Sequence, residues 1–175
     1  RLCSYLDDTN DGTKSYGIPV GGSNALGTWG YIEAVDELMH QWRDLQQQEQ
    51  ESDESTSLTT LDHVVFASGS GGTATGLALG LALCPALESP QVHAVGVCDD
   101  PDYFYQHVSD IAADMGFQCD GTILDFVKQS MTVHQGKGLG YAIATADELA
   151  FCQQFAVETG IVLDPVYTGK ALYHF

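Results

Sequence analysis

Basic residues are scarce in this chain: 6 lysines and arginines stand against 24 aspartates and glutamates among 175 residues, a formal net charge of −18. A surface of that sign repels phosphate backbones and anionic headgroups, so neither nucleic acid nor a membrane surface is expected as a partner. Apolar runs long enough to span a bilayer are missing too; the longest, Ala74–Leu87, fits a buried helix. The five cysteines (Cys3, Cys84, Cys98, Cys119, Cys152) form no C-x-x-C pair, which argues against a disulfide framework and a zinc site. Cys84 and Cys98 lie in apolar segments and read as small buried hydrophobes. The six histidines are equally dispersed. His63 and His93 each read as opening a strand, and no two histidines make a pair at i, i+4, so no metal site is expected. Neither an initiator methionine nor a secretory leader pattern opens the chain, and the expectation is an unsecreted protein of the cytoplasm or of an organelle, mitochondrion or plastid. With 44% apolar residues, the chain can form one core, a single domain over residues 1–175.

What is present is concentrated in residues 62–76, Asp-His-Val-Val-Phe-Ala-Ser-Gly-Ser-Gly-Gly-Thr-Ala-Thr-Gly. His63–Ala67 is β-branched and aromatic and predicts a buried strand. Ser68–Thr73 predicts a tight loop, and Ala74–Leu83, small and apolar, a helix. A strand, a Gly-rich turn and a helix start make an anion cradle, because the first-turn amides lack intrahelical acceptors and the helix dipole favours negative charge. Gly69, Ser70, Gly71, Gly72 and Thr73 are the predicted phosphate-binding residues. No lysine lies in the loop, which excludes the G-x-x-x-x-G-K-[ST] nucleotide loop. Gly69–Ala74 also fits the permissive dinucleotide pattern G-x-G-x-x-[GA], with Asp99 or Asp100 placed for a ribose. The hydroxyls of Ser68, Ser70, Thr73 and Thr75 suit a small phosphate monoester at least as well.

Along the rest of the chain, Gly17–Val20 predicts a short strand running into a second Gly-rich turn, Gly21–Asn24. Apolar residues at Trp29, Ile32, Val35, Leu38, Met39 and Trp42 mark a helix over Leu26–Leu45 that packs one face on a sheet. Residues 46–60 are acidic and low in complexity, a solvated loop. A strand at Val92–Val97 precedes a helix from Pro101 to near Gly116, with Phe104, Val108, Ile111 and Met115 inward. Asp120–Met131 is moderately helical, Gly136–Tyr141 a third Gly-rich loop, and Thr145 with Glu148 a capping box opening a helix that Gly160 closes. Ile161–Leu163 reads as a strand, Asp164–Lys170 as a loop, with a last helix from Ala171. The alternation predicts an α/β fold with a largely parallel sheet flanked by helices and a ligand site at the carboxyl ends of its strands.

Several ordered segments together resemble one family. They are Ile18–Tyr31 (Ile-Pro-Val-Gly-Gly-Ser-Asn-Ala-Leu-Gly-Thr-Trp-Gly-Tyr), the cradle, Lys137–Ala142 (Lys-Gly-Leu-Gly-Tyr-Ala) and Leu163–Lys170 (Leu-Asp-Pro-Val-Tyr-Thr-Gly-Lys). The chain resembles the D-cysteine desulfhydrase and 1-aminocyclopropane-1-carboxylate deaminase group, pyridoxal-phosphate enzymes of fold type II related to the tryptophan synthase β chain. Val97–Tyr105 looks like the plant-type desulfhydrases in particular. The resemblance implies pyridoxal 5'-phosphate as cofactor, held by Gly69–Thr73, and a small amino acid as substrate, faced by Tyr141 and Tyr167. Thr168 occupies the position where the deaminases carry Glu and the desulfhydrases Thr or Ser. A neutral hydroxyl beside the pyridine nitrogen suffices for eliminating a good leaving group, so the implied reaction is D-cysteine to pyruvate, sulfide and ammonia. Deamination of 1-aminocyclopropane-1-carboxylate and a non-catalytic structural subunit are the alternatives. The family's Schiff-base lysine, in a Gly-Gly-Asn-Lys segment, has no counterpart here, so the chain reads as a partial, inactive version of a homodimeric enzyme.

Overall fold

A computed structural model describes residues 14–51, 60–84 and 90–175. Cys3, most of the expected acidic loop and the end of the Ala74–Leu87 stretch lie outside the described residues.

Three parallel strands form one sheet in the order β1 (His63–Ser68), β2 (Gln91–Gly96), β3 (Thr132–Gln135). Val65 pairs with His93, Ser68 with Gly96, and Ala94 with Val133. Parallel neighbours need crossovers, and helices supply them. Helix α2 (Gly72–Leu83) links β1 to β2, while α3 (Pro101–Asp114) and α4 (Ile123–Ser130) link β2 to β3. One sheet face presents Val92, Ala94 and Val133 to Ala74, Ala78 and Leu81 of α2, to Phe104 and Val108 of α3 and to Val127 of α4, a single core. The α/β expectation with a parallel sheet and flanking helices is met.

Helix α1 (Ala25–Glu51) buries Thr28, Val35 and Met39. Its stripe packs on α2 as well as through it toward the core, rather than directly on a sheet. Glycines allow that contact. A Cβ at Gly76 would overlap Tyr31 and lie 2.9 Å from the Thr28 carbonyl oxygen, and one at Gly80 would lie 2.7 Å from Val35 Cγ2. Trp29, expected inward, is 54% exposed, because it sits one residue, about 100°, off the line Thr28–Ile32–Val35–Met39. The helix also outruns its expected end at Leu45 and reaches Glu51, since the Gln/Glu run that reads as loop is made of good helix formers.

Helix α3 starts where expected, with the Asp100 carboxylate accepting from Tyr103 N. Helix α5 (Ala146–Thr159) opens on the Thr145–Glu148 capping box and ends at Gly160 in the left-handed region, φ 75°. Three local expectations fail. Gly17–Val20 is no strand; Pro19 is extended and a 3-10 turn, Val20–Gly22, follows, with Gly21 at φ 65°. Ile161–Leu163 is no strand either: three residues between the αL stop at Gly160 and the turn at Asp164 leave too little length to pair, and Val162 stays exposed. The last helix, α6 (Thr168–His174), begins three residues early because the Asp164 carboxylate accepts from Thr168 N and caps it. Strand β3, unexpected from the sequence, has its Val133 N–H capped by the Tyr105 hydroxyl at 3.0 Å.

Candidate active site

The carboxyl ends of β1 and β2 open into a cavity of about 720 Å³. Its floor is the predicted cradle. Ser68 ends β1, and Gly71, at φ 86°, turns the chain into α2 as an N-cap with no side chain of its own to cap the first turn. That conformation suits glycine. A Cβ at Gly71 would lie 2.7 Å from His107 Cδ2, and one at Gly69 would lie 3.0 Å from Tyr167 Cε1, so the glycines keep the floor low. Gly69, Ser70, Gly71 and Thr73 all line the cavity. Gly72 does not: its N–H donates to Ser23 Oγ at 2.9 Å, and Ser23 in turn donates to Ser70 Oγ at 2.8 Å. The Gly21–Asn24 turn is thereby latched onto the cradle, as the convergence of Gly-rich loops requires.

Tyr141 and Tyr167 form the facing wall, their hydroxyls 2.5 Å apart and hydrogen-bonded to each other. The hydrogen bond shared with Tyr141, with some burial, raises the Tyr167 phenol above its ordinary value. Asp164 sets Tyr167 in place: its carboxylate accepts from Val166 N at 2.9 Å and from Tyr167 N at 2.7 Å. Burial would push the Asp164 carboxyl up, yet these amides and Thr168 outweigh it and hold it below the usual carboxylate range. Thr168 lies behind this wall rather than on it, with its hydroxyl donating to Asp164 Oδ2 and accepting from Asp164 N.

Among the lining residues that sequence reasoning did not single out, four bring polar side chains: Ser23, Cys98, Tyr103 and His107. Cys98 is half-buried rather than a core residue, donates its S–H to the Gly69 carbonyl at 3.0 Å, and has its thiol pushed up by burial. His107 stacks on Tyr103 and donates from Nε2 to the Ser70 carbonyl at 3.2 Å. His107 follows Tyr103 by one turn on α3, but nothing in the sequence says that this side of the helix meets the cradle. Nor did any signal mark Ser23 beyond its Gly-Gly-Ser-Asn turn.

The dinucleotide alternative loses its acids. Asp100 is spent as the α3 cap, and Asp99 pairs with Lys137 at 3.8 Å. Among the described residues no lysine lines the cavity, and no group of three or more His, Cys, Asp and Glu is arranged to hold a metal ion. The histidines, however, are not dispersed in space. His63, His93 and His134 form a diagonal row across the three strands, with ring nitrogens 3.0 Å apart in each contact.

Pyridoxal phosphate fits what is present on one side. The helix start at the left-handed Gly71 and the hydroxyls of Ser70 and Thr73 offer a phosphate donors without a countercharge. The paired tyrosines line the same cavity, with Tyr167 against Gly69. The fit stops short of a covalent anchor.

Comparison with known proteins agrees with that geometry. The profile of the family described as pyridoxal-phosphate dependent enzyme matches residues 5–175. The chain is 45% identical over 163 residues to the mitochondrial bifunctional D-cysteine desulfhydrase/1-aminocyclopropane-1-carboxylate deaminase of Arabidopsis thaliana, covering 93% of this chain and 36% of that protein. It is 34% identical over 161 residues to a D-cysteine desulfhydrase of Klebsiella pneumoniae, covering 92% of this chain and 44% of that one. A crystal structure of an ACC deaminase homologue superposes with a TM-score of 0.70 at 26% identity, over 98% of this chain and 46% of its own. The chain thus spans less than half the length of these relatives.

Proposed function

Because the chain belongs to the family of pyridoxal-phosphate-dependent enzymes, we propose that it forms the phosphate-binding and tyrosine-bearing part of a lyase of the D-cysteine desulfhydrase type. The overall conversion consumes D-cysteine and water and yields pyruvate, sulfide and ammonia. One observation carries this reading: a lysine-free Gly-rich cradle and a hydrogen-bonded tyrosine pair line one cavity at the carboxyl edge of a parallel sheet.

Pyridoxal phosphate, when bound, supplies an electron sink that acidifies the α-carbon of an amino acid. The chain's own residues do the rest. Backbone amides of Gly69–Gly71 and the Thr73 and Ser70 hydroxyls hold the phosphate, with the α2 dipole behind them. Gly72 lets Ser23 close that cradle from the side. Tyr141 and Tyr167 share one hydroxyl contact, so one of them has a proton to give at the cavity surface, where a departing thiolate needs it. Cys98 stays a neutral thiol and keeps that wall uncharged. Thr168, held by Asp164, puts a neutral hydroxyl where the deaminases carry Glu, which favours elimination of sulfide over ring opening.

Assaying the native protein that carries this chain with D-cysteine is expected to release sulfide and pyruvate. Consumption of 1-aminocyclopropane-1-carboxylate with no sulfide above background would overturn the Thr168 argument. A second reading follows from the absence of a lysine at the cavity: these residues alone hold cofactor phosphate without turning substrate over. The same proposal carries a homodimer, which analytical ultracentrifugation of the native protein tests, and an address in the cytoplasm or an organelle.

A further inference from the structure

The loop that carries Tyr141 has little to stiffen it from its own sequence. Gly138 and Gly140 have φ of 56° and 140°, and Ala142, at φ 60°, is the one non-glycine residue with positive φ among those described. Leu139, between the two glycines, is exposed. Two internal bonds, Gly140 N to the Lys137 carbonyl at 3.0 Å and Ile143 N to the Gly140 carbonyl at 3.2 Å, shape it without tying it to the body of the protein. A tyrosine at the end of such a segment would swing freely. It does not, because its hydroxyl sits within 2.5 Å of the Tyr167 hydroxyl.

Beneath the loop lies a buried ion network with no part in binding. Lys170 is fully buried, at 0% exposure, and Glu148 is buried with it. The Lys170 ammonium donates to the Lys137 carbonyl at 2.7 Å and to the Gly140 carbonyl at 3.1 Å. Its third neighbour is Glu148 Oε1 at 3.7 Å. Two of the ammonium's three protons go to these carbonyls, and the carboxylate at 3.7 Å supplies countercharge rather than a hydrogen bond. Glu148 is in turn held by Thr145 N at 2.6 Å and by His174 Nε2 at 2.9 Å. Burial would push its carboxyl up, but these donors and Lys170 hold it below the usual range, so it remains an anion. A Cβ on Gly138 would lie 2.8 Å from Glu148 Oε1 and 3.1 Å from Lys170 Nζ, so the loop rests directly on the pair.

A buried charge pair is costly to desolvate, and it adds specificity of arrangement more readily than stability. Here the arrangement it specifies is visible. Lys170 lies on α6 three residues after Tyr167, so one helical turn sets one tyrosine and reaches across to the two carbonyls that bracket the loop of the other. We infer that Lys170, paired with the Glu148 carboxylate that His174 helps to hold, is the positioning residue of the tyrosine pair: it clamps residues 137–140 and so holds the Tyr141 hydroxyl against that of Tyr167. The consequence for catalysis rests on the lyase reading above; the clamp itself does not. It also gives this buried lysine a structural duty that removes it from any covalent role.

The test uses this chain without cofactor, isotope-labelled at tyrosine Cζ. In the wild type the Tyr167 signal titrates above the ordinary phenol range and shows a ring-to-ring nuclear Overhauser contact with Tyr141. Tyr141→Phe removes the shared hydroxyl bond and gives the reference for a broken pair. Lys170→Met, folded by circular dichroism, is expected to lose the ring contact and to bring the Tyr167 midpoint down to the Tyr141→Phe value. A folded Lys170→Met variant that keeps both signatures overturns the proposal. Gly138→Ala guards against a Lys170 variant that does not fold, since it leaves Lys170 and Glu148 intact and pushes the loop off them. It is expected to break the pair in the same way, and a folded Gly138→Ala protein with the pair intact sinks the clamp as surely. The readout is the tyrosine pair, so a native protein inactive on D-cysteine would count against the lyase reading alone.

Discussion

At the scale of single residues, the cradle yields the sharpest test. Gly71 combines φ 86° with a Cβ direction that runs into the His107 ring. Gly71→Val is therefore expected to abolish retention of pyridoxal phosphate, because the β-branched side chain both resists that φ and lifts the floor. Ser70→Ala is expected only to weaken binding, by about 1–2 kcal/mol, since one hydroxyl among several donors is lost. Equilibrium dialysis against the cofactor reads both, with circular dichroism to show the variants folded. Wild-type affinity in a folded Gly71→Val protein would move the phosphate site elsewhere. The cradle was legible because three glycines within four residues after a β-branched run have few other uses. Ser23 and His107 were not legible, because what makes them site residues is a crossing of distant segments: Ser23 reaches Gly72 and Ser70, and His107 reaches the Ser70 carbonyl.

At the scale of elements, capping and periodicity carried most of the information. Asp100 and Thr145 start their helices where the residue types require, and Gly160 stops one. Short apolar runs misled, since Ile161–Leu163 and Gly17–Val20 have strand composition without a neighbour to pair with, and β3 has four residues and no distinct pattern. Helix contacts were hidden too, and α2 shows why. Alanine favours a helix interior over glycine by about 1 kcal/mol, so sequence alone predicts that Gly76→Ala stabilises. The Tyr31 Cβ and the Thr28 carbonyl stand where the methyl would go, and backbone cannot yield cheaply. Gly76→Ala is expected instead to destabilise by about 1–3 kcal/mol in urea unfolding, as overpacking does. A stability gain would show that α1 and α2 are not in close contact.

The strands add a pH dependence. Burial, with the imidazoles of His134 and His63 alongside, holds His93 below its ordinary value of about 6.5. Between the folded value and about 6.5 the unfolded chain binds more protons than the folded one, so stability rises with pH across that window. Above about 6.5 the contribution is fully present, and it is lost as pH falls through the folded value. Urea midpoints measured from about pH 8 down to about pH 5 are expected to fall more steeply in the wild type than in His93→Gln, which keeps the other titrating groups. Equal slopes would remove the row from the account. The row illustrates what spacing in sequence conceals, because parallel strands separated by whole helices bring His63, His93 and His134 onto one face.

For the whole molecule, the alternation of strands and helices was enough to place the site at the carboxyl edge of a parallel sheet, and the family follows from the ordered motifs along the chain. On the lyase reading proposed above, what the chain holds there is one side of an active site. The cradle and the tyrosines are built, yet each lysine near them is committed. Lys137 pairs with Asp99 at 3.8 Å, and Lys170 is fully buried, hydrogen-bonded to the Lys137 and Gly140 carbonyls and ion-paired with Glu148. An amine must be free and must reach the cavity to bond covalently to the cofactor. Incubating this chain with pyridoxal phosphate, reducing with borohydride and mapping the label by mass spectrometry is therefore expected to show no stoichiometric capture at one lysine, although phosphate-dependent binding at the cradle persists. Single-site capture on Lys137 or Lys170, accompanied by turnover of D-cysteine, would mean that these residues complete a site by themselves and that the division of labour argued here is wrong.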